Sequence, residues 1–211
     1  MAVCPTAVCP TAVRLRPRCN VITIWPPTFT KVEYEASQLA ELVRSALALV
    51  PALPPDLDIE VRVDEEQATT RAAVVSMEPL VFAADSGALE NLKDPRRCGE
   101  LESTVTFVRL FLEVVDRHSE SFGAPELGKP MTHAHKISWE VNLFGRASRL
   151  GLRLHSPRFR YDFRNRHGFS DNADRIFDVL WASDDLSFAR IVELSARATD
   201  TLGVEVPATP V

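Results

Sequence analysis

The sequence predicts an α+β fold: a small, mostly antiparallel sheet with about five helices, an N-terminal α/β half and a helical, basic C-terminal half. Three observations carry that expectation. Residues 57–63 alternate strictly, with Leu57, Ile59, Val61 and Val63 on one side and Asp58, Glu60 and Arg62 on the other, as a half-buried strand requires. Two longer stripes have helical period, one from Val32 to Val50 and one from Leu101 to Val115. Basic charge is concentrated late. Residues 133–167 hold eight Lys or Arg against Glu140 and Asp162, a net +6 inside a chain of −5, so everything else carries −11.

At 211 residues the chain suits one domain, or one and a half, and is long enough to bury a sizeable core. No apolar run approaches the roughly 18 residues of a membrane helix, so no membrane partner is expected. The overall acidity argues against a protein that coats nucleic acid, though not against a local anion site. Three of the four cysteines, Cys4, Cys9 and Cys19, crowd the start and Cys98 stands alone. This is not a disulfide framework, and it favours a reducing, cytoplasmic setting.

Residues 1–20 read as a disordered tail. Ala-Val-Cys-Pro-Thr stands at 2–6 and again at 7–11, and Pro5, Pro10 and Pro17 forbid a continuous helix. Arg14, Arg16 and Arg18 without any acid give a composition like that of a transit peptide, but the prolines spoil the amphipathic helix such a peptide needs. The cysteine spacing is not that of a zinc site. A native start near Val21 is the alternative, which an intact mass including the repeat would refute.

The N-terminal half spans 21–120. Val21–Trp25 is a short strand closed by Pro26 and Pro27. Thr30 and Glu33 form a capping box and Phe29 can staple onto Tyr34, so the spacing predicts a helix from Thr30 to Val50, stopped by Pro51, Pro54 and Pro55. After the strand at 57–63, the acids Asp64, Glu65 and Glu66 form a solvated loop. Arg71–Met77 and Leu80–Ala84 are two more strands about Pro79, Asp85–Gly87 is a turn, and Ala88–Leu92 is a short helix before a break at Asp94-Pro95. Gly99–His118 is a second long helix. Phe107, Phe111 and Val114 widen its stripe, which places it centrally with more than one face buried. Residues 121–132, with Gly123, Pro125, Gly128 and Pro130 in or beside them, read as the linker to a basic helix-strand-helix half at 133–202, and 203–211 as a frayed end.

In the basic half, Ile137, Val141, Phe144 and Ser148 share a helical face and Gly151 stands where a left-handed C-cap falls. Ser156–Gly168 reads as a strand, with Phe159, Tyr161, Phe163 and His167 facing a core and Arg158, Arg160, Arg164 and Arg166 facing out. Ser170 or Asp171 caps a helix through Trp181, and Ser183 caps the next through Thr199.

The arginines Arg146, Arg149, Arg153, Arg158, Arg160, Arg164 and Arg166 are the candidate anion-binding residues, because the planar guanidinium fork suits phosphate or carboxylate. The ordinary alternative is a solvated face neutralised by the acids elsewhere in the chain. Nucleic acid, if it is the partner, would be held through its phosphates, because the alternation sets the rings opposite the arginines. His167, beside Arg164 and Arg166, is the candidate acid/base for a hydrolase or transferase acting on an anionic substrate. His133 and His135 are candidate metal ligands if that segment is extended. The chain has no dinucleotide fingerprint, phosphate-binding loop, nucleophile elbow, Cys-x-x-Cys or His-Glu-x-x-His, and no cofactor is expected.

The order helix, strands, long helix over residues 30–118, about half the chain, resembles the layout of minimal zincin-like metalloproteases. In that family the long helix carries the zinc motif. Here that helix reads Thr104-Val-Thr-Phe-Val-Arg-Leu-Phe-Leu-Glu-Val-Val-Asp-Arg-His, with one glutamate and a terminal histidine. The resemblance therefore implies a domain without the family's chemistry. The leading expectation is a non-enzymatic module whose Arg-rich face meets a phosphate-bearing or acidic partner. The others are an enzyme working on an anionic substrate, and a scaffold that binds a protein through exposed Trp139 and Trp181.

Overall fold

The computed structural model describes residues 20–199; the expected tails, with Cys4, Cys9 and Cys19, lie outside them, Asn20 excepted. Within that span the fold is α+β, with six α-helices, a four-stranded sheet and a two-stranded ribbon. The sheet strands are β1 (Ile22–Trp25), β2 (Ile59–Asp64), β3 (Ala72–Met77) and β4 (Leu80–Asp85), in the order β1-β2-β4-β3. The sheet is mixed rather than mostly antiparallel, since β1, β2 and β4 run parallel and only the edge strand β3 runs against β4. For β1 and β2 the reason is the crossover through α1 (Ala36–Ala48), which carries the chain back to the end of the sheet at which β1 began. The inward residues Ile24, Val61, Val63, Val74 and Phe82 are buried, as the alternation demands.

The helix expected from Thr30 starts six residues later. Glu65, from the acidic loop, accepts the backbone N–H groups of Thr30 and Lys31 at 2.7 Å each, while Glu33 bridges to Arg97. Those donors, Lys31 first, hold the Glu65 carboxyl below its ordinary range. The Phe29–Tyr34 contact forms, with ring centroids 5.6 Å apart, but across a loop. The short helix expected at Ala88–Leu92 is replaced by a 3₁₀ turn at Ser86–Ala88 and the ribbon β5 (Glu90–Asn91) with β6 (Asp94–Cys98).

Helix α2 (Glu100–His118) lies between the sheet and the C-terminal helices. Phe107, Val108, Leu110, Phe111 and Val114 have no exposed surface, and Phe111 meets Phe82 edge to face at 5.3 Å. On its far side packs α3 (His133–Arg149), and against α3 in turn pack α4 (Ser156–His167), α5 (Asp171–Ala182) and α6 (Phe188–Thr199). Thr132 caps α3 by accepting the His135 N–H, Ser170 caps α5 by accepting that of Ala173, and Gly151 follows α3 with φ +99°. Ser183 ends α5 instead of opening the next helix; Ser187 accepts the Arg190 N–H at the start of α6.

The segment 156–167 is a helix, not a strand. Phe159, Phe163 and His167 are spaced by four, so they form one helical stripe as readily as one side of a strand. Pro157 fits the first turn, and no residue from 156 to 167 is β-branched. Tyr161, the member that breaks the four-residue spacing, is 58% exposed.

The last turn of α5 is held by one face of α3. Asn142 Nδ2 donates to the carbonyls of Leu180 (3.0 Å) and Ser183 (2.8 Å), and the Arg149 guanidinium donates to those of Trp181 (2.5 Å) and Ser183 (2.9 Å). Between them Gly145 lets the backbones touch: a Cβ there would lie 2.1 Å from the Trp181 carbonyl oxygen. These donors satisfy carbonyls that a helix end leaves without partners. No helix among the described residues is long and apolar enough to cross a membrane.

Candidate functional site

Helical geometry decides where the arginines go. On α4, Arg160 and Arg164 are four residues apart and face Asp174 and Asp178, also four apart, on α5. Arg164 Nε lies 2.7 Å from Asp174 Oδ1, and that guanidinium, with Arg160 beside it, holds the Asp174 carboxyl below its usual range. Arg160 also lies over the Phe177 ring, 4.4 Å from its centroid. On α3, Arg149 pairs with Asp184 besides capping α5. Arg146 makes a bidentate pair with buried Asp116 of α2, at 2.8 and 2.6 Å, and Asp116 also accepts the Trp139 indole N–H at 2.7 Å.

Four of the seven candidate arginines therefore have acidic partners. Arg153, Arg158 and Arg166 have no carboxylate within ion-pair distance among the described residues. All three are exposed. Arg153, in the α3–α4 connector, and Arg158, in the first turn of α4, both line a cleft of about 520 Å³ between the two halves. One wall comes from the start of β3, the 3₁₀ turn and the first turns of α2. The other comes from α3, the connector and α4. Lys136 and His155 share the second wall. Ile137 and Phe144, expected in the core, line the cleft half-buried, and the Phe144 ring packs on Phe159 at 4.4 Å. The N-cap residue of α4, His155, gives no side-chain cap; Pro157 has no N–H and the Arg158 N–H donates to the His155 carbonyl, so this helix end brings its dipole rather than a set of free donors to the cleft. Four carboxylates also reach the cleft: Glu90, Glu102, Glu140 and Asp162.

His167 is elsewhere. It is 4% exposed and stacked on Phe163; Nε2 lies 3.2 Å from Ser138 Oγ and Nδ1 3.3 Å from Thr199 Oγ1. Burial, first of all, keeps its pKa below the ordinary value, with Arg166 and His135 acting the same way. Both ring nitrogens are engaged within the fold, so the geometry makes this histidine a pin between α3, α4 and α6. His133 and His135 lie in the first turn of α3, where two residues differ by about 200° around the axis, so they diverge. Among the described residues no group of three His, Cys, Asp or Glu is placed to hold a metal. Trp139 is buried and Trp181 is half-buried on Phe159 and Phe177, so neither is the exposed anchor expected.

Arg109 is the residue that sequence reasoning missed. Buried on α2 at the cleft floor, it donates to the Ala72 carbonyl of edge strand β3 at 2.6 Å. Its signal was present as an Arg109-x3-Glu113-x3-Arg117 ladder, whose ion pairs measure 3.5 and 2.7 Å. The side chains α2 turns to the cleft are Leu101, Glu102, Val105, Thr106 and Arg109. One carboxylate, an arginine and no histidine do not fit the zinc that the zincin-like resemblance implies. No protein-family model, curated protein or solved structure matches the chain.

Proposed function

We propose that the protein is a non-enzymatic binding module whose cleft meets a phosphate-bearing or acidic partner through Arg153 and Arg158, with Lys136 and His155 beside them. The observation that carries this reading is the division of the arginine row: Arg146, Arg149, Arg160 and Arg164 are neutralised by aspartates, whereas Arg153 and Arg158 face the cleft without a carboxylate in ion-pair range among the described residues. The dipole at the N-terminus of α4 adds the same sign of potential at the same place. Guanidinium groups on a partly enclosed wall hold an anion more strongly than they do on open surface, because water screens them less.

Titration calorimetry with tripolyphosphate, a compact anion, and with a short peptide bearing a single glutamate over a salt series tests this reading. The expected result is binding by the wild type that weakens with salt, is lost in Arg153→Ala/Arg158→Ala, and persists in Arg160→Ala. Binding that survives the double substitution, or no binding at low salt, overturns it.

A further inference from the structure

Resting on that reading, we infer that the cleft takes a small amphiphile: one anionic head at Arg153 and Arg158, and an apolar body lying along the groove. Three features converge on this ligand class.

The first is the sign of the rest of the cleft. An extended polyanion that entered at Arg158 would run past Glu90, Glu102, Glu140 and Asp162, contributed by β5, α2, α3 and α4. Of the other cations on the cleft, Arg71 is shared with Asp85 and Lys136 with Glu140, each 3.9 Å away, and Arg109 is committed to Ala72 and Glu113. The positive site is thus one corner wide. It matches a single phosphate or carboxylate and repels a chain of them.

The second is apolar surface left uncovered at the same place. Leu92 and Leu101, 69% and 51% exposed, stand at the cleft. Below them lie Val105 from α2 and Ile137 and Phe144 from α3, and Phe144 packs on the ring of Phe159, the residue after Arg158. Apolar side chains gathered on a concave surface, beside a few convergent polar groups, are the usual make-up of a small-ligand site. The third is size. About 520 Å³ falls within the roughly 300–1,000 Å³ typical of such sites and is too small for a folded partner. Phosphate and carboxylate heads share the chemistry that two guanidinium groups recognise, so both belong in the test.

The experiment is calorimetry on the full chain with n-alkyl phosphates, n-alkyl carboxylates and n-alkanols of increasing chain length, all below their micelle thresholds. Inorganic phosphate and tripolyphosphate serve as headgroup controls. The expected result is affinity rising about three- to four-fold per added CH₂. The charged amphiphiles should exceed the alkanol of equal length at least about ten-fold, and the ratio of the two charged series identifies the head. Arg153→Ala/Arg158→Ala should remove the preference for charge, and Leu101→Gln, an exposed change that leaves the core alone, should flatten the chain-length slope. If tripolyphosphate binds through the arginines and chain length adds nothing, the amphiphile is refuted while the anion site stands. If the alkanols bind as tightly as the charged series and the arginine substitutions change nothing, or if no anion binds at all, both fail.

Discussion

Gly145→Ala sets two effects of opposite sign against each other. Glycine costs an interior helical position about 1 kcal/mol relative to alanine, so on propensity alone the change on α3 should stabilise. The contact with α5 says otherwise. The new Cβ would lie 2.1 Å from the Trp181 carbonyl oxygen and 2.8 Å from its carbon, and both obstacles are backbone. For an ordinary contact α5 must retreat by about 1 Å, which lengthens the bonds from Arg149 to Trp181 (2.5 Å) and from Asn142 to Leu180 (3.0 Å) and Ser183 (2.8 Å). Overpacking costs about 1–3 kcal/mol and the three weakened hydrogen bonds together about 2 kcal/mol. Net of the propensity gain, Gly145→Ala should destabilise by about 2–4 kcal/mol. For a chain of this size that lowers Tm by roughly 4–16 °C. Urea unfolding followed by far-ultraviolet circular dichroism reads the first number and a thermal melt the second. A variant as stable as the wild type, or more stable by the propensity term, would refute the close approach of α3 and α5.

Asp116→Ala should cost about 3–5 kcal/mol in urea unfolding, because it strands the Arg146 guanidinium and the Trp139 N–H in a buried setting; a loss under about 1 kcal/mol would show that neither partner depends on it. Lowered pH should weaken the fold through His167, which faces Ser138 and His135 on α3, Ser195 and Thr199 on α6 and Arg166 on its own helix. A base with a depressed folded pKa binds its proton more readily when unfolded, so this contribution is whole above about pH 6.5 and is lost as pH falls toward the lower folded value. The urea midpoint should therefore drop more between about pH 6.5 and 5 in the wild type than in His167→Gln, and equal drops would contradict the buried neutral imidazole. Arg153→Ala/Arg158→Ala should change stability by no more than about 0.5 kcal/mol, since neither residue has an acid in ion-pair range among the described residues; a larger loss would mean that the two arginines are structural.

Much of the N-terminal half was legible from pattern. Leu57–Val63 alternates because one face of β2 is buried, and the broad stripe of α2 is broad because the helix is covered by both the sheet and α3. Strand direction was not legible, since parallel β2 and β4 are placed by where the chain between them turns and not by any local residue. The helix start at Thr30 failed because Glu65, thirty-four residues from Lys31, outbid the local capping box. The reading of 156–167 failed for a sharper reason. Residues spaced by four satisfy both periods; Pro157 and the lack of β-branched residues favour the helix, and the exposure of Tyr161 agrees with it. That error carried into the site, where a strand offers one Arg face and a helix sends Arg160 and Arg164 to α5 and Arg158 to the cleft. The excess of positive charge was plain in the sequence. Which arginines were already spoken for depended on aspartates at 116, 174, 178 and 184, a pairing no spacing rule reveals.

The two ends of α2 are fastened to different halves. Near its C-terminus, Asp116 is tied to Arg146 and Trp139, and Arg117 to the Pro125 carbonyl, so there the halves are joined by directional bonds. Near its N-terminus, Ser103, Thr106 and Arg109 donate to the carbonyls of Leu89, Ala88 and Ala72, so that end is bonded into the N-terminal half while it fronts the groove. Residues 102 and 116 are separated by about 21 Å along the axis. The helix therefore belongs to the sheet's side of the groove, and a relative tilt of about 5° between the halves about Asp116 would change the groove's width by about 2 Å, roughly half the width of a methylene chain.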